Sequence, residues 1–390
     1  MAGNLDRPLG KPKPTHNNRR NIVITGVITG CMLLAVFFGF MARDLFSTNS
    51  LEPNEQHADA KIAGNNIAPT QSQNQNNNIR KRPDLPIDEN APAIVQLNAP
   101  DQLEIPEIIP RKRPESVAKR RVLAHLPDPE LIENTAVGQL PVKSEDGLRA
   151  MDVYARQPDT EGNFGVARIV IIVGGLGISQ TSTNQAIDSL PSGVTFAFAP
   201  YGNSLSRWMR AARKAGHEIL MQIPMEPFGY PQINAGEHSL LASVTENDNQ
   251  QNLRWSLGRI TNYVGVMNFL GGKMLTSPQM LTPIFEELSD RGLMFVDDGS
   301  TRNSITESVS KTTGLPYTRA HLTIDSLRSR AAITKKLKEL EDMAKRTGLA
   351  IGVATAFPDT IAQIAKFVKD AKKRGLEITP VSAIAIEPKG

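Results

Sequence analysis

From residue 168 onward, short runs of apolar and β-branched residues alternate with segments whose apolar residues recur at helical spacing. The continuous runs predict eight buried strands over residues 168–173, 194–199, 218–223, 263–268, 293–297, 317–324, 350–355 and 376–379. The helical spacing predicts helices between them, among them residues 205–215, 247–261, 278–291, 331–346 and 361–374. Fully apolar strands separated by helices are typical of a parallel sheet covered by helices. An α/β domain over residues 166–390 is therefore predicted. Its expected form is a (β/α) barrel of seven or eight strands, with a doubly wound open sheet as the alternative.

A second apolar pattern lies near the start of the chain. Residues 22–42 contain no charged side chain, and a helix of this length crosses the apolar core of a bilayer. Arg19 and Arg20 precede the run, so residues 1–21 are predicted to be a basic cytoplasmic tail. A cleaved signal peptide is the alternative, but its apolar region would be shorter and would end in a small-x-small site. The sequence thus predicts a single-pass protein of the inner (cytoplasmic) membrane, with its C-terminal domain in the periplasm.

Between the membrane segment and the domain, the apolar pattern disappears. Residues 43–123 contain an Asn/Gln-rich patch at 71–78, recurring prolines and three short basic clusters. Such a segment cannot bury enough apolar surface to offset the entropy of ordering it, so a disordered linker is predicted. Residues 124–165 are richer in Leu, Val and Ile, and we expect a lead-in arm that packs along the barrel.

Charge and cysteine content exclude two classes of function. The formal net charge is +4, and the first twenty residues carry five basic side chains and one acidic side chain, which accounts for the whole excess. The remaining chain is neutral, which disfavours nucleic-acid binding. The single cysteine, Cys31, lies in the membrane segment, so neither an internal disulfide nor a cysteine-based metal site is expected.

Polar residues and glycines follow several predicted strands directly. In a barrel the carboxyl ends of the strands form one face, where ligands bind. The residues predicted at this face are Gly174, Gly175, Gln222, Glu226, Asn268, Asp297, Asp298, Asp325 and Thr355. The carboxylates among them suit a hydroxyl-rich ligand, an amide-bearing ligand or a cation.

Five segments carry a resemblance to a known family. They are VTFAFAPYG (194–202), GHEILMQIPMEP (216–227), ITNYVGVMNFLGG (260–272), GLMFVDDGS (292–300) and GLEITPVSAI (375–384). In this order they resemble the divergent polysaccharide deacetylase family, over residues 165–385. The resemblance implies a barrel of the glycoside hydrolase/deacetylase type, an envelope location and a glycan context. It also implies a divalent metal that activates water for deacetylation in the active members.

The chain departs from the family pattern at each residue of that metal site. The resemblance places an Asp-Asp pair where this chain has Gly174 and Gly175, and histidines where it has Gln222, Phe269 and Thr355. Glycine and phenylalanine offer no ligand atom to zinc, and glutamine is a poor ligand. Neither a metal nor another cofactor is therefore expected at these positions. Glu226, Asn268, Asp297 and Asp325 match the family and are carried over as pocket residues. Phe269 is expected either to offer a stacking face to a sugar or to fill the vacated metal cavity.

These residues favour a deacetylase-like domain that binds an envelope polysaccharide or a peptidoglycan-related glycan, or an envelope protein. A hydrolase with a rearranged site around Glu226, Asp297, Asp298 and Asp325 is one alternative, and a scaffold that uses the outer surface of the barrel is another. A metal site rebuilt from His321, Asp325 and Asp297 is a further, weaker possibility. The turn at 174–177 lacks the residues of a phosphate loop, and a Ser-His-Asp hydrolase lacks its G-x-S-x-G element.

Overall fold

The computed structural model of the chain describes residues 125–159 and 166–388. The predicted membrane segment (22–42) and linker (43–123) lie outside these residues. Within the described part of the chain, no helix is long and apolar enough to cross a membrane.

The described residues form strands, helices and short 3₁₀ turns that alternate along the domain. The strands are β1 (Ile132–Thr135), β2 (Gly138–Pro141), β3 (Ala167–Leu176), β4 (Thr195–Phe198), β5 (Ile219–Met225), β6 (Gly265–Leu270), β7 (Met294–Asp297), β8 (Tyr317–Arg319), β9 (Leu322–Thr323), β10 (Leu349–Thr355) and β11 (Leu376–Ile378). The α-helices are α1 (Ala150–Val153), α2 (Gln180–Ser189), α3 (Leu205–Lys214), α4 (Glu246–Leu257), α5 (Pro278–Asp290), α6 (Thr306–Thr313), α7 (Arg330–Thr347) and α8 (Pro358–Lys369). The 3₁₀ turns are Pro129–Leu131, Met274–Thr276, Lys372–Arg374 and Val381–Ile384.

The large sheet contains strands β3 to β11, and every pair in it is parallel. Its order is β8-β7-β6-β5-β4-β3-β10-β9, with β11 beside the first residues of β3. The two ends of this order, β8 and β9, are separated by only two residues of chain. The N–H of Ala320 still donates to Asp297 on β7, whereas the N–H of His321 donates to Ile351 on β10. One chain segment therefore joins both ends of the sheet and closes it into a parallel α/β barrel.

The predicted strands and helices correspond closely to these elements, and the predicted parallel α/β fold is confirmed. The predicted strand 317–324 differs in one respect, because it is divided into β8 and β9, which have different neighbours. The first residues of this segment pair with β7 and the later ones with β10, so the segment fills one strand position between them. The core itself consists of fully buried apolar residues such as Ile169, Val170 and Ile171 of β3.

The residues expected to form a lead-in arm pack at the amino ends of the strands. The hairpin β1–β2 and helix α1 belong to this segment. The N–H of Met151 donates to Gly292, directly before the residues that lead into β7. The N–H of Arg156 donates at 3.0 Å to Glu218, the residue before β5. The arm therefore covers the face of the barrel opposite to the carboxyl ends of the strands, while its boundaries and those of the linker stay predictions.

Candidate functional site

The predicted site residues lie at one edge of the sheet, where the parallel strands end. Gly174 and Gly175 are near the end of β3, Asn268 and Phe269 are near the end of β6, and Asp297 ends β7. The remaining residues lie in or just after β5, β7, β9 and β10: Gln222, Glu226, Asp298, Asp325 and Thr355. The hydrogen bonds of these residues show which of them the fold brings together.

Gln222 connects β5 to the end of β3. Its side-chain oxygen Oε1 accepts a 2.7 Å hydrogen bond from the backbone N–H of Gly175. A β-carbon added to Gly174 would lie 2.8 Å from Nε2 of Gln222 and 3.4 Å from the methyl group of Met267. The side chain of Gln222 is 5% exposed. The space that a side chain at position 174 would need is thus filled by the Gln222 amide. The N–H of Gly175 is already bonded to this amide and is not available to a ligand.

Glu226 holds two loops together. It is 3% exposed, accepts a hydrogen bond from the N–H of Ala242, and forms a 2.7 Å ion pair with Lys273. Its backbone carbonyl also accepts from the N–H of Lys273 at 3.1 Å. The carboxylate therefore fixes the loop after β5 to the turn after β6.

Asn268 likewise connects the end of β6 to the loop after β7. Its Nδ2 donates to the carbonyl of Leu270 at 2.7 Å, and its Oδ1 accepts from the N–H of Asp298 at 2.9 Å. Burial raises the pKa of Asp298, although hydrogen bonds from Ser300 and Asn268 oppose the change. Asp298 is half-buried. Among the predicted site carboxylates, it is the one that combines a raised pKa with partial exposure to solvent.

Asp297 is fully buried and has three partners. Oδ1 accepts from the N–H of Gly299 at 2.8 Å, Oδ2 accepts from the hydroxyl of Thr306 at 3.0 Å, and Nε of Arg319 lies 3.7 Å from Oδ2. These bonds order the loop from β7 to α6 and connect it to β8.

Asp325 follows β9, the short strand that pairs with β10. Its Oδ2 accepts from the N–H of Thr355 at 2.9 Å and from the hydroxyl of Thr360 at 3.2 Å. Burial raises its pKa, and these two hydrogen bonds oppose the shift. Asp325 thus joins the loop after β9 to the start of α8, and it shares no bond with Asp297 or Glu226.

Phe269 has a different environment from these polar residues. It lies two residues after Met267 on β6, so both side chains point to the same face of the sheet. Met267 is buried against the Gly174 position, whereas Phe269 is 44% exposed. The half-exposed ring therefore sits at the mouth of the barrel, on the same face of the sheet as Met267.

Among residues 125–159 and 166–388, the histidines do not gather near these carboxylates. Nδ1 of His321 accepts a 3.0 Å hydrogen bond from the N–H of Ile351, in the first half of β10. Asp325 lies beside Thr355 at the end of that strand, about 13 Å further at the usual rise per residue. His217 is buried at the amino end of β5, and His238 stacks on Trp255 with ring centres 4.0 Å apart. In the part of the chain that the structure describes, no group of three His, Cys, Asp or Glu side chains is arranged to hold a metal ion.

Comparison with known proteins identifies the family. Residues 171–385 match the model of the divergent polysaccharide deacetylase family. The chain belongs to this family. The resemblance found in the sequence is confirmed.

This chain is similar to the crystal structure of an uncharacterized protein from Agrobacterium tumefaciens C58, with 48% sequence identity. The match has a TM-score of 0.61 and covers 63% of this chain and 99% of that protein. An uncharacterized protein of Haemophilus influenzae is 23% identical over 210 residues, which are 54% of this chain and 74% of its own. The uncharacterized protein YibQ of Escherichia coli K12 is 21% identical over 201 residues, or 52% of this chain and 62% of YibQ.

One surface residue of this deacetylase-family domain was missed by the sequence analysis. Phe228, two residues after Glu226, is 61% exposed and rests on Gly272 in the turn after β6. The sequence offered only a weak signal, an aromatic residue directly after the PMEP segment, because exposure of a loop side chain depends on the fold around it.

Proposed function

We propose that this chain is a membrane-anchored, envelope-facing member of the divergent polysaccharide deacetylase family that binds glycans and has lost the metal-dependent reaction. The observation that carries the proposal is the contact between Gln222 and Gly175. It occupies the place where the family resemblance puts the catalytic Asp-Asp pair and a metal-binding histidine.

The donor atoms near this contact do not suit a zinc ion. Gly174 and Gly175 have no side-chain ligand, and the oxygen of Gln222 already accepts the Gly175 N–H at 2.7 Å. Zinc at a hydrolytic site needs about three protein ligands and one open position for water. Phe269 stands where the resemblance implies a further ligand, and its ring cannot coordinate a metal. We therefore derive no step of a reaction through a metal ion.

The acidic residues that match the family support the same view. Glu226, Asp297 and Asp325 are each buried, and each accepts hydrogen bonds from backbone N–H groups or hydroxyls of neighbouring loops. A carboxylate with these partners positions loops, and it has little freedom to remove a proton from water. A hydrolase with a rearranged acidic site is favoured by one observation, the raised pKa of the half-buried Asp298, which is a property of general acids. No second free carboxylate lies beside it among the described residues, so we rank this alternative lower.

The ligand class follows from the side chains at the mouth of the barrel. Phe269 offers a half-exposed aromatic face, and aromatic faces bind sugar rings by stacking against their C–H surfaces. Asp298 and the hydroxyl of the exposed Thr355 are polar groups of the same edge that are suited to bind sugar hydroxyls. We therefore propose an envelope polysaccharide or a peptidoglycan-related glycan as the ligand, with an envelope protein as the second possible partner.

The proposed location follows from the sequence. Residues 22–42 would anchor the chain in the inner membrane, and residues 43–123 would form the tether that lets the barrel reach envelope polymers from the periplasmic side.

Retention of the full-length protein on a panel of envelope glycans tests the proposal. The wild type should bind at least one glycan, and Phe269→Ala should weaken that binding without loss of cooperative unfolding. Leu126→Ala is the matched control, because Leu126 is equally exposed but lies on the arm. Absence of glycan binding by the wild type across the panel would contradict the proposal and favour the scaffold.

A further inference from the structure

A second exposed aromatic ring lies close to the proposed glycan site. Phe228 belongs to the loop after β5, and Phe269 belongs to the end of the neighbouring strand β6. A β-carbon added to Gly272 would lie 2.7 Å from the ring of Phe228 and 3.5 Å from the hydroxyl oxygen of Thr301. Phe228 therefore rests on the glycine turn, three residues beyond Phe269, and keeps 61% of its surface exposed.

Basic residues from two loops and from the end of β8 lie near the turn on which this ring rests. Lys273 follows Gly272, Arg302 follows Thr301, and Nη2 of Arg319 donates to the carbonyl of Thr301 and, at 3.4 Å, to that of Arg302. Phe228, Gly272 and Thr301 are close neighbours, and the three basic residues adjoin Gly272 or Thr301 in the chain or by a hydrogen bond, so we group all six as one patch. We call it the β5–β7 rim.

The basic residues of the β5–β7 rim differ in whether an acidic side chain pairs with them. Lys273 is paired with Glu226, and Arg319 is paired with Asp297. Arg302 is exposed, and its guanidinium has no ion pair with any residue in the described part of the chain. An uncompensated arginine beside an exposed aromatic ring is suited to a ligand that has both an apolar face and an anionic group. The planar guanidinium can form two parallel hydrogen bonds to a carboxylate.

We propose that the β5–β7 rim is a second subsite that binds a carboxylate-bearing sugar unit of the glycan held at Phe269. The inference rests on the proposed function and adds the charge and the minimum length of the ligand. Phe228 stacks on the ring of the anionic sugar, and Arg302 binds its carboxylate. Since the two aromatic rings, one in the loop after β5 and one at the end of β6, contact successive units, the ligand is an oligomer, and a single sugar fills only half of the site.

Two tetrasaccharides of equal length test the subsite with the full-length protein. One alternates N-acetylglucosamine with N-acetylmuramic acid that carries free lactyl carboxylates, and the other is the neutral N-acetylglucosamine tetramer. The wild type should bind the anionic tetramer about tenfold more tightly, as charge-assisted hydrogen bonds imply, and the preference should decrease at high salt. Arg302→Gln should remove the preference and leave binding of the neutral tetramer unchanged. Phe228→Ala should weaken both tetramers about fivefold.

Matched controls separate this subsite from general surface effects. Arg210→Gln removes another exposed arginine, on α3, and Leu126→Ala removes another exposed apolar side chain, on the arm. Both should bind like the wild type. Unchanged affinities and unchanged preference in Arg302→Gln and Phe228→Ala would overturn the subsite and leave the proposed function intact. Failure of the wild type to bind either tetramer or any other glycan would overturn both.

Discussion

The backbone N–H of Gly175 donates a 2.7 Å hydrogen bond to the side-chain oxygen of Gln222, 47 residues later in the sequence. This bond places the Gln222 amide against Gly174, so that glycine at one position and glutamine at the other are complementary in volume. The stabilities of single and double variants should therefore be coupled.

Gly174→Ala and Gln222→Ala test that complementarity in a double-mutant cycle. The new methyl group should collide with the Gln222 amide and cost about 1–2 kcal/mol, since the added volume has no free space. Gln222→Ala leaves the Gly175 N–H without its partner and should cost about 1–3 kcal/mol. In the double variant the methyl group has room. The loss of stability in the double variant should therefore be smaller than the sum of the losses in the two single variants. Urea unfolding of the four proteins measures the coupling, and additivity within about 0.5 kcal/mol would contradict it.

The sequence predicted the strands of the barrel because each is a continuous apolar run, and burial on both faces requires such a run. Two helices had weaker signals. Helix α2 has only two apolar residues, Ala186 and Ile187, and α6 has only Val309. With so few apolar positions, helical spacing cannot be recognised. The cap at Ser179, which accepts from the N–H of Ser182, was the stronger signal for α2.

The candidate site was predicted in position but not in detail. The rule that parallel strands end at a common face placed Glu226, Asp297 and Asp325 on the same edge. Their partners lie as far as 47 residues away, as Lys273 is from Glu226, and a single sequence does not show such pairs. For the same reason the sequence could not show that Gln222 fills the space beside Gly174, or that β8 and β9 pair with opposite ends of the sheet.

Substitutions of Asp297 and Phe269 should separate an effect on stability from an effect on glycan binding. Asp297→Ala leaves Gly299, Thr306 and Arg319 without their acceptor in a buried setting, and we expect a loss of about 3 kcal/mol in the free energy of unfolding. Phe269→Ala removes a half-exposed ring and should cost less than about 1.5 kcal/mol while it weakens glycan binding. Thermal unfolding and glycan retention measure the two effects. A Phe269→Ala protein as unstable as Asp297→Ala would show that the ring is part of the core.

His217 should make the stability of the barrel depend on pH. Burial lowers the pKa of His217 to about 4, with a smaller contribution from Arg156 and Arg213, while the bond to the Val194 carbonyl opposes the shift. Between the ordinary value of about 6.5 and pH 4 the native state binds fewer protons than the unfolded state. Stability should therefore fall as the pH decreases through this window, by about 3 kcal/mol in total from this group.

The neighbouring Glu218 acts in the opposite direction, because burial raises its pKa and native Glu218 binds a proton more readily than unfolded Glu218. His217→Gln isolates the histidine. Urea unfolding at pH 7 and pH 4.5 should show a smaller loss of stability for the variant than for the wild type. Equal losses in both proteins would exclude His217 as the cause.

Membrane topology is tested with a reporter that is active only outside the cytoplasm. Fused after Asn65, it should be active, because Arg19 and Arg20 keep the preceding tail in the cytoplasm. Fused after Thr15, the same reporter should be inactive. A stable but inactive fusion after Asn65 would contradict the proposed location of the barrel.

The most direct test of the account is the effect of metal removal on the purified full-length protein. We predict that the protein carries far less than one equivalent of zinc after dialysis. With an excess of chelator it should bind its glycan and unfold as before, because no metal is part of the site or the fold. Stoichiometric zinc that survives dialysis, together with acetate release from an acetylated glycan that the chelator abolishes, would contradict the loss of the metal-dependent reaction.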